Sequence, residues 1–182
     1  IEIGIEFYVA GRICCCRNFM GTYLILPILF HHPVEYLIKA YLNYDVSAKE
    51  LKSTFNHNLI RLWSAFKKKE KDKNLDKYDN FIEQFDKAKI LRYPEGNNLD
   101  VFDGNNPTYY FGKNIDNFES NSVSWSLEMI DEIIYLICKK MRSPLSPIDW
   151  IICKFRKCEE LFEGNKFFTI NTLTNTQSKT QH

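Results

Sequence analysis

Apolar residues recur every three to four positions along most of this chain, the spacing of an amphipathic helix and not the alternation of a half-buried strand. Ile5, Tyr8, Val9, Ile13 and Cys16 mark a first helix over residues 2–19, which Gly21 ends. Val34, Leu37, Ile38, Tyr41 and Leu42 mark a second over 27–44, opening on Pro27, a residue suited to a first helical position. Pro33 within it is expected to bend the helix or cost it a hydrogen bond, because the ring removes a donor and crowds the preceding turn. Ser47-Ala48-Lys49-Glu50 is a capping-box pattern for a short helix over 48–54. Asn56 is expected as N-cap of the next helix, whose stripe is Leu59, Leu62, Trp63 and Phe66. Leu75, Tyr78, Ile82, Phe85 and Lys89 carry a further period over 75–91, and Pro94 stops it.

Residues 93–121 then read as a long connector rich in Asn, Asp, Gly and Pro, a length without structure that is uncommon in a compact domain and often functional or flexible. A long helix is predicted over 124–141, with Leu127, Ile130, Ile134, Ile137, Cys138 and Met141 inward and Asp131 and Glu132 on the polar face. Ser143-Pro144-Leu145-Ser146-Pro147 forms a corner, with Ser146 as N-cap of a last helix that buries Ile148, Ile151, Ile152, Phe155, Cys158 and Phe162 and stops at Gly164. The expected fold is an all-α, up-and-down bundle of about six to seven helices over residues 1–168, followed by a polar, disordered tail over 169–182.

Composition narrows the functional classes. The chain has 182 residues, 45% hydrophobic and 26% charged, enough to bury the core of one domain. A net charge of +1 supplies no overall attraction to nucleic acid or to a membrane surface. The run from Lys67 to Lys73 holds five lysines and two acids, but at a helix end it reads as a solvated terminus complementing the dipole. The longest apolar stretch, residues 23–30, is too short to span a bilayer.

Cys14, Cys15 and Cys16 are adjacent, so their side chains diverge around a helix and cannot share one neighbour. Cys138, Cys153 and Cys158 sit on apolar helical positions as small hydrophobes. No zinc spacing occurs, so neither a metal nor another cofactor is expected, and free thiols point to a reducing cytoplasm. The chain begins at Ile1 and not at Met, which leaves a missing leader open.

The candidate chemistry lies in polar residues planted in apolar stretches. Glu35 and Lys39 stand one helical turn apart and can pair. His57-Asn58-Leu59 heads the following helix, and Arg92-Tyr93-Pro94-Glu95 closes a third. Charged groups near a buried stripe need partners, since burying them alone is costly. Glu35, Lys39, His57, Asn58, Arg92 and Tyr93 are therefore expected to converge as a network that stitches helices together. Alternatively Arg92, Lys39 and His57 hold a phosphate, Arg92 by its fork, Lys39 as a point charge and His57 as a donor. His31 and His32 read as a surface pair, and Trp63, Trp125 and Trp150 as core or dimer contacts.

The order Phe7-Tyr8-Val9-Ala10-Gly11-Arg12, Glu35-x-x-x-Lys39-Ala40, His57-Asn58-Leu59 and Arg92-Tyr93-Pro94-Glu95 resembles the HEPN superfamily (higher eukaryotes and prokaryotes nucleotide-binding domains) over residues 5–141. The resemblance implies a helical bundle that pairs two-fold as a homodimer. Many members are metal-independent ribonucleases, often toxins paired with a nucleotidyltransferase-type antitoxin. Their motif is an Arg followed four to six residues later by His, the Arg holding the phosphate while the His moves a proton. Here no Arg stands at that spacing before His31, His32, His57 or His182, so no catalytic residue is assigned. Members with the Glu/Lys helix and the His-Asn-Leu turn but without the nuclease pair imply a dimerisation or interaction module, or a domain that binds a nucleotide or other anion.

Overall fold

The computed structural model describes residues 1–16, 25–86, 108–112 and 122–141, the backbone alone for 16, 108–112 and 122–125. Within them lie six α-helices: α1 (Glu2–Cys16), α2 (Leu26–Leu42), α3 (Ala48–Phe55), α4 (Leu59–Glu70), α5 (Asp79–Asp86) and α6 (Leu127–Lys140). A 3-10 turn, Lys73–Tyr78, leads into α5.

The architecture is an all-α bundle with α2 at its centre, packed by α1, α4 and α6 and more lightly by α5. Val34, Leu37 and Ile38 of α2 are buried with Leu59, Leu62 and Phe66 of α4 and Ile130, Ile133, Ile134 and Ile137 of α6. The apolar rows read from the sequence are thus the buried rows, which follows from the 3.6-residue period that puts them on one face. Gly11 marks where α1 crosses α2: a Cβ there would stand 2.7 Å from the ring of Phe30.

Pro33 lies inside α2 without ending it, and its ring is buried in the core. Ser47 caps α3 as expected, its hydroxyl accepting from the Glu50 amide at 3.3 Å. The cap of α4 is Asn58 and not Asn56. The Asn58 Oδ1 accepts from the Arg61 amide at 2.8 Å, whereas Asn56 ends α3 with φ at 46°. Asn suits either role, because its short side chain caps N-termini and its backbone tolerates positive φ. The helix expected over 75–91 splits into the 3-10 turn and α5, yet Leu75, Tyr78, Ile82 and Phe85 are still buried. Lys89 falls outside the described residues.

The connector expected to lack structure contains a strand, β1 (Thr108–Gly112), which pairs in parallel with β2 (Ser122–Ser126) from Thr108↔Ser122 to Gly112↔Ser126. The aromatic and β-branched content of the two segments suits a strand, a signal outweighed in the sequence by the surrounding Asn and Gly. As a result α6 starts at Leu127, capped by Ser126, instead of at Ser124. The predicted last helix and tail lie outside the described residues. No described helix is long and apolar enough to cross a membrane.

A candidate site around Glu35

Glu35 sits on the inward face of α2 and is 1% exposed. A carboxylate in that position needs donors, and the fold supplies them from two directions. Lys39, one turn along the same helix, donates from Nζ to Glu35 Oε1 at 2.7 Å. His57, in the turn between α3 and α4, approaches the same oxygen with Nδ1 at 2.9 Å. Because an ionised carboxylate only accepts, the proton of that bond belongs to His57 Nδ1. His31, one turn before Glu35, brings its Nδ1 to 3.6 Å from Oε2. Lys39 also donates to the backbone carbonyl of Asn56, the residue that ends α3. Glu35 is thus a hub that ties α2 to the α3–α4 turn.

Of the six residues expected to converge, the structure places Glu35, Lys39 and His57 together. Asn58 adjoins them as a helix cap with no contact to Glu35 of its own. The start of α4 receives a further acceptor from outside the expected set, Asp86 Oδ1, which takes the Leu59 amide at 2.7 Å. Asp86 is the last residue of α5 and is buried, so it locks α5 to the head of α4. Arg92 and Tyr93 lie outside the described residues.

Two expectations are corrected. His31 is fully buried and not at the surface, while its neighbour His32 is half-buried and stacks on Phe7 with ring centroids 4.4 Å apart. The reason is rotation: His31 is three residues before Val34 and seven before Ile38, so it shares their buried row. Asp131 is likewise buried, 3% exposed, and not on the polar face of α6.

Asp131 belongs to a second polar cluster that the sequence reading missed. Tyr8 donates its hydroxyl proton to Asp131 Oδ1 at 2.6 Å, and Arg12, 2% exposed, pairs with Oδ2. The three residues pin α1 to α6 across the core. Burial lifts the Asp131 carboxyl above its ordinary value, against the charge and hydrogen bond of Arg12 and the hydroxyl of Tyr8, which pull it down. A signal was present: Leu127, Asp131, Ile134 and Cys138 form one helical row, as do Ile5, Tyr8 and Arg12. Cys138, on that row, has its thiol pushed up to about 12 by burial, so it is a poor nucleophile at neutral pH. Cys14 and Cys138 are free thiols.

Beside the Glu35 hub, α2 and α3 leave an open groove of about 430 Å³. Its lining is Lys39, Ala40, Asn43, Ala48, Leu51, Lys52, Asn56 and His57. The lysine-rich end of α4 is elsewhere, and Lys67 and Lys69 in it are paired with carboxylates. Lys67 pairs with Asp76 and Asp79 at 2.7 and 2.6 Å, and Lys69 with Asp45 at 2.7 Å. Trp63 is a core residue whose indole N–H donates to Asp79 at 2.8 Å.

Chemically, the hub supplies hydrogen bonds and charge compensation. Its ammonium and imidazole are directed at a protein carboxylate, and among the described residues no hydroxyl or thiol nucleophile joins them in the lining of the groove. Comparison of the chain with protein-family models, with curated proteins and with solved structures found no match in any of the three.

Proposed function

We propose that the chain is a non-catalytic HEPN-like domain that acts as a dimerisation and protein-interaction module in the cytoplasm, with a nucleotidyltransferase-type protein among the partners to test. The observation that carries this reading is the engagement of Glu35. Lys39 and His57 are two of the three groups that a phosphate would need, and both are bonded to a buried carboxylate. A dianion drawing them away would strip the buried Glu35 of its Lys39 and His57 donors, which is costly. The lack of any Arg four to six residues before a His argues in the same direction against the ribonuclease reading.

Light scattering after size exclusion tests the assembly. The expected mass is twice the 21.6 kDa of one chain, and a monomer at every concentration would overturn dimerisation. The nucleotide-binding reading, with Lys39, His57 and Arg92 as ligand residues, draws support from Lys39 and His57 both lining an open groove. It predicts a submillimolar dissociation constant for ATP or GTP that is lost in Arg92→Ala. No detectable affinity for either nucleotide is the outcome expected here. RNA incubated without metal is expected to stay intact.

A further inference from the structure

The groove between α2 and α3 is lined by hydrocarbon as well as by polar groups. Ala40 on α2 and Ala48 on α3 both line it, together with the buried Leu51. Larger side chains at these two places would reduce its volume. The stems of Lys39 and Lys52 extend the apolar lining, since such chains lay hydrocarbon along a surface while the ammonium stays wet. At about 430 Å³ the groove falls in the ~300–1,000 Å³ range of sites that hold an organic group, room for one or two peptide side chains.

Among the described residues, two lysines and an imidazole line the groove and no carboxylate does. Glu35 lies below, too deeply buried to meet an incoming group, and it offsets Lys39 and not Lys52. Lys52 makes no ion pair among the described residues, and its position on α3 is exposed. Asn43 and Asn56 add carboxamides at the rim, which can both donate to and accept from a peptide backbone. A compact phosphate would find one uncompensated lysine and a mainly hydrocarbon wall. An extended chain carrying apolar and acidic groups would use both.

We propose that this groove is the docking site for an acidic amphipathic segment of a protein partner, which inserts an apolar side chain between Ala40 and Ala48 and sets a carboxylate against Lys52. The proposal rests on reading the domain as an interaction module and names the surface and the chemistry of the partner. Most of the affinity comes from the inserted apolar group, as in other anchor-and-pocket interfaces. The lysine contributes chiefly to selectivity and association rate.

The test uses the full chain and a fluorescein-labelled octapeptide of alternating leucine and glutamate, with a leucine–lysine counterpart as control, read by fluorescence anisotropy. The acidic peptide is expected to bind at least about tenfold more tightly than the basic one. Ala48→Trp, which fills the groove from an exposed first-turn position of α3, should weaken binding by about tenfold or more. Lys52→Glu should abolish the preference for acid. Circular dichroism checks that both variants keep the helical fold, as substitutions at exposed positions should. Equal binding of the two peptides, no binding up to millimolar concentration, or binding unchanged by Ala48→Trp would each overturn the proposal. Displacement of the peptide by low-millimolar inorganic phosphate would assign the groove to small anions and overturn it too. The dimer mass from light scattering reads the module separately: an Ala48→Trp variant that still assembles, in a protein indifferent to the peptides, removes the groove and leaves the module standing.

Discussion

At the scale of single residues, two buried carboxylates carry the polar interior, and their settings differ in a way that sets what each is worth. Asp131 and its partner Arg12 are both sealed in the core, so neither can be rehydrated if the other is lost. Glu35 is equally buried, but Lys39 and His57 are 20% and 40% exposed through their side chains and can turn to water. Removing one member of a sealed pair costs about 3–5 kcal/mol, because the remaining charge loses that partner where water cannot replace it. Losing hydrogen bonds whose donors can resolvate costs about 1–3 kcal/mol. Urea unfolding is therefore expected to find Asp131→Ala the more damaging, by about 3–5 kcal/mol against about 1–3 for Glu35→Ala. A larger loss in Glu35→Ala would show that the hub, and not the α1–α6 pin, dominates the interior. Both residues could be seen as special from their rows of apolar neighbours. Which donors they meet could not, since Arg12 and Asp131 are separated by most of the described chain.

At the scale of elements, the turn between α3 and α4 joins the hub to the helices. Asn58 caps α4, Asp86 takes the Leu59 amide, Lys39 holds the Asn56 carbonyl, and His57 reaches Glu35. Asn58→Ala is expected to cost about 1 kcal/mol of stability, the usual loss of a side-chain cap. Asn56→Gly is expected to cost nothing or to add a few tenths, because φ of 46° is strained for a side chain and free for glycine. Thermal unfolding of the two variants checks the pair, and a loss at Asn56 matching that at Asn58 would restore Asn56 as the cap. The sequence located this turn to within two residues. Choosing between two asparagines needed the backbone, because both satisfy the same local chemistry and only the path of the chain decides which faces a free amide.

At the scale of the whole molecule, ion pairs at the rim clamp α6 to the α4–α5 side. Lys140 meets Glu70 at 2.7 Å, and Lys77 meets Glu132 at 2.8 Å. Burial alone would raise both carboxyls. Hydrogen bonds from Lys140 and Tyr41 to Glu70, and from Lys77 to Glu132, outweigh it and hold both below their ordinary value of 4.5. A carboxyl held low in the folded state binds its proton less readily there than when unfolded. It thus contributes stability above about pH 4.5, which is lost as pH falls through the lower folded value. Asp131, held above its ordinary value, acts in the opposite sense, its contribution falling as pH rises through the folded value. The urea midpoint should therefore drop on acidification below about pH 4.5, and the Glu70→Gln/Glu132→Gln double variant should show a shallower drop. An unchanged slope in that variant would place the acid sensitivity elsewhere.

The sequence by itself determined the helical class, the buried rows of α1, α2, α4 and α6, and the meeting of Glu35 with Lys39. These depend on a period of 3.6 residues and on neighbours one turn apart, and both are local properties of the chain. Only the tertiary structure decided that His57 reaches Glu35, that Asp131 turns inward to Arg12 and Tyr8, that two strands pair in parallel, and that alanines on α2 and α3 leave a groove. Each of these depends on how distant segments are rotated and brought together, and a helical period carries no information about what will face it.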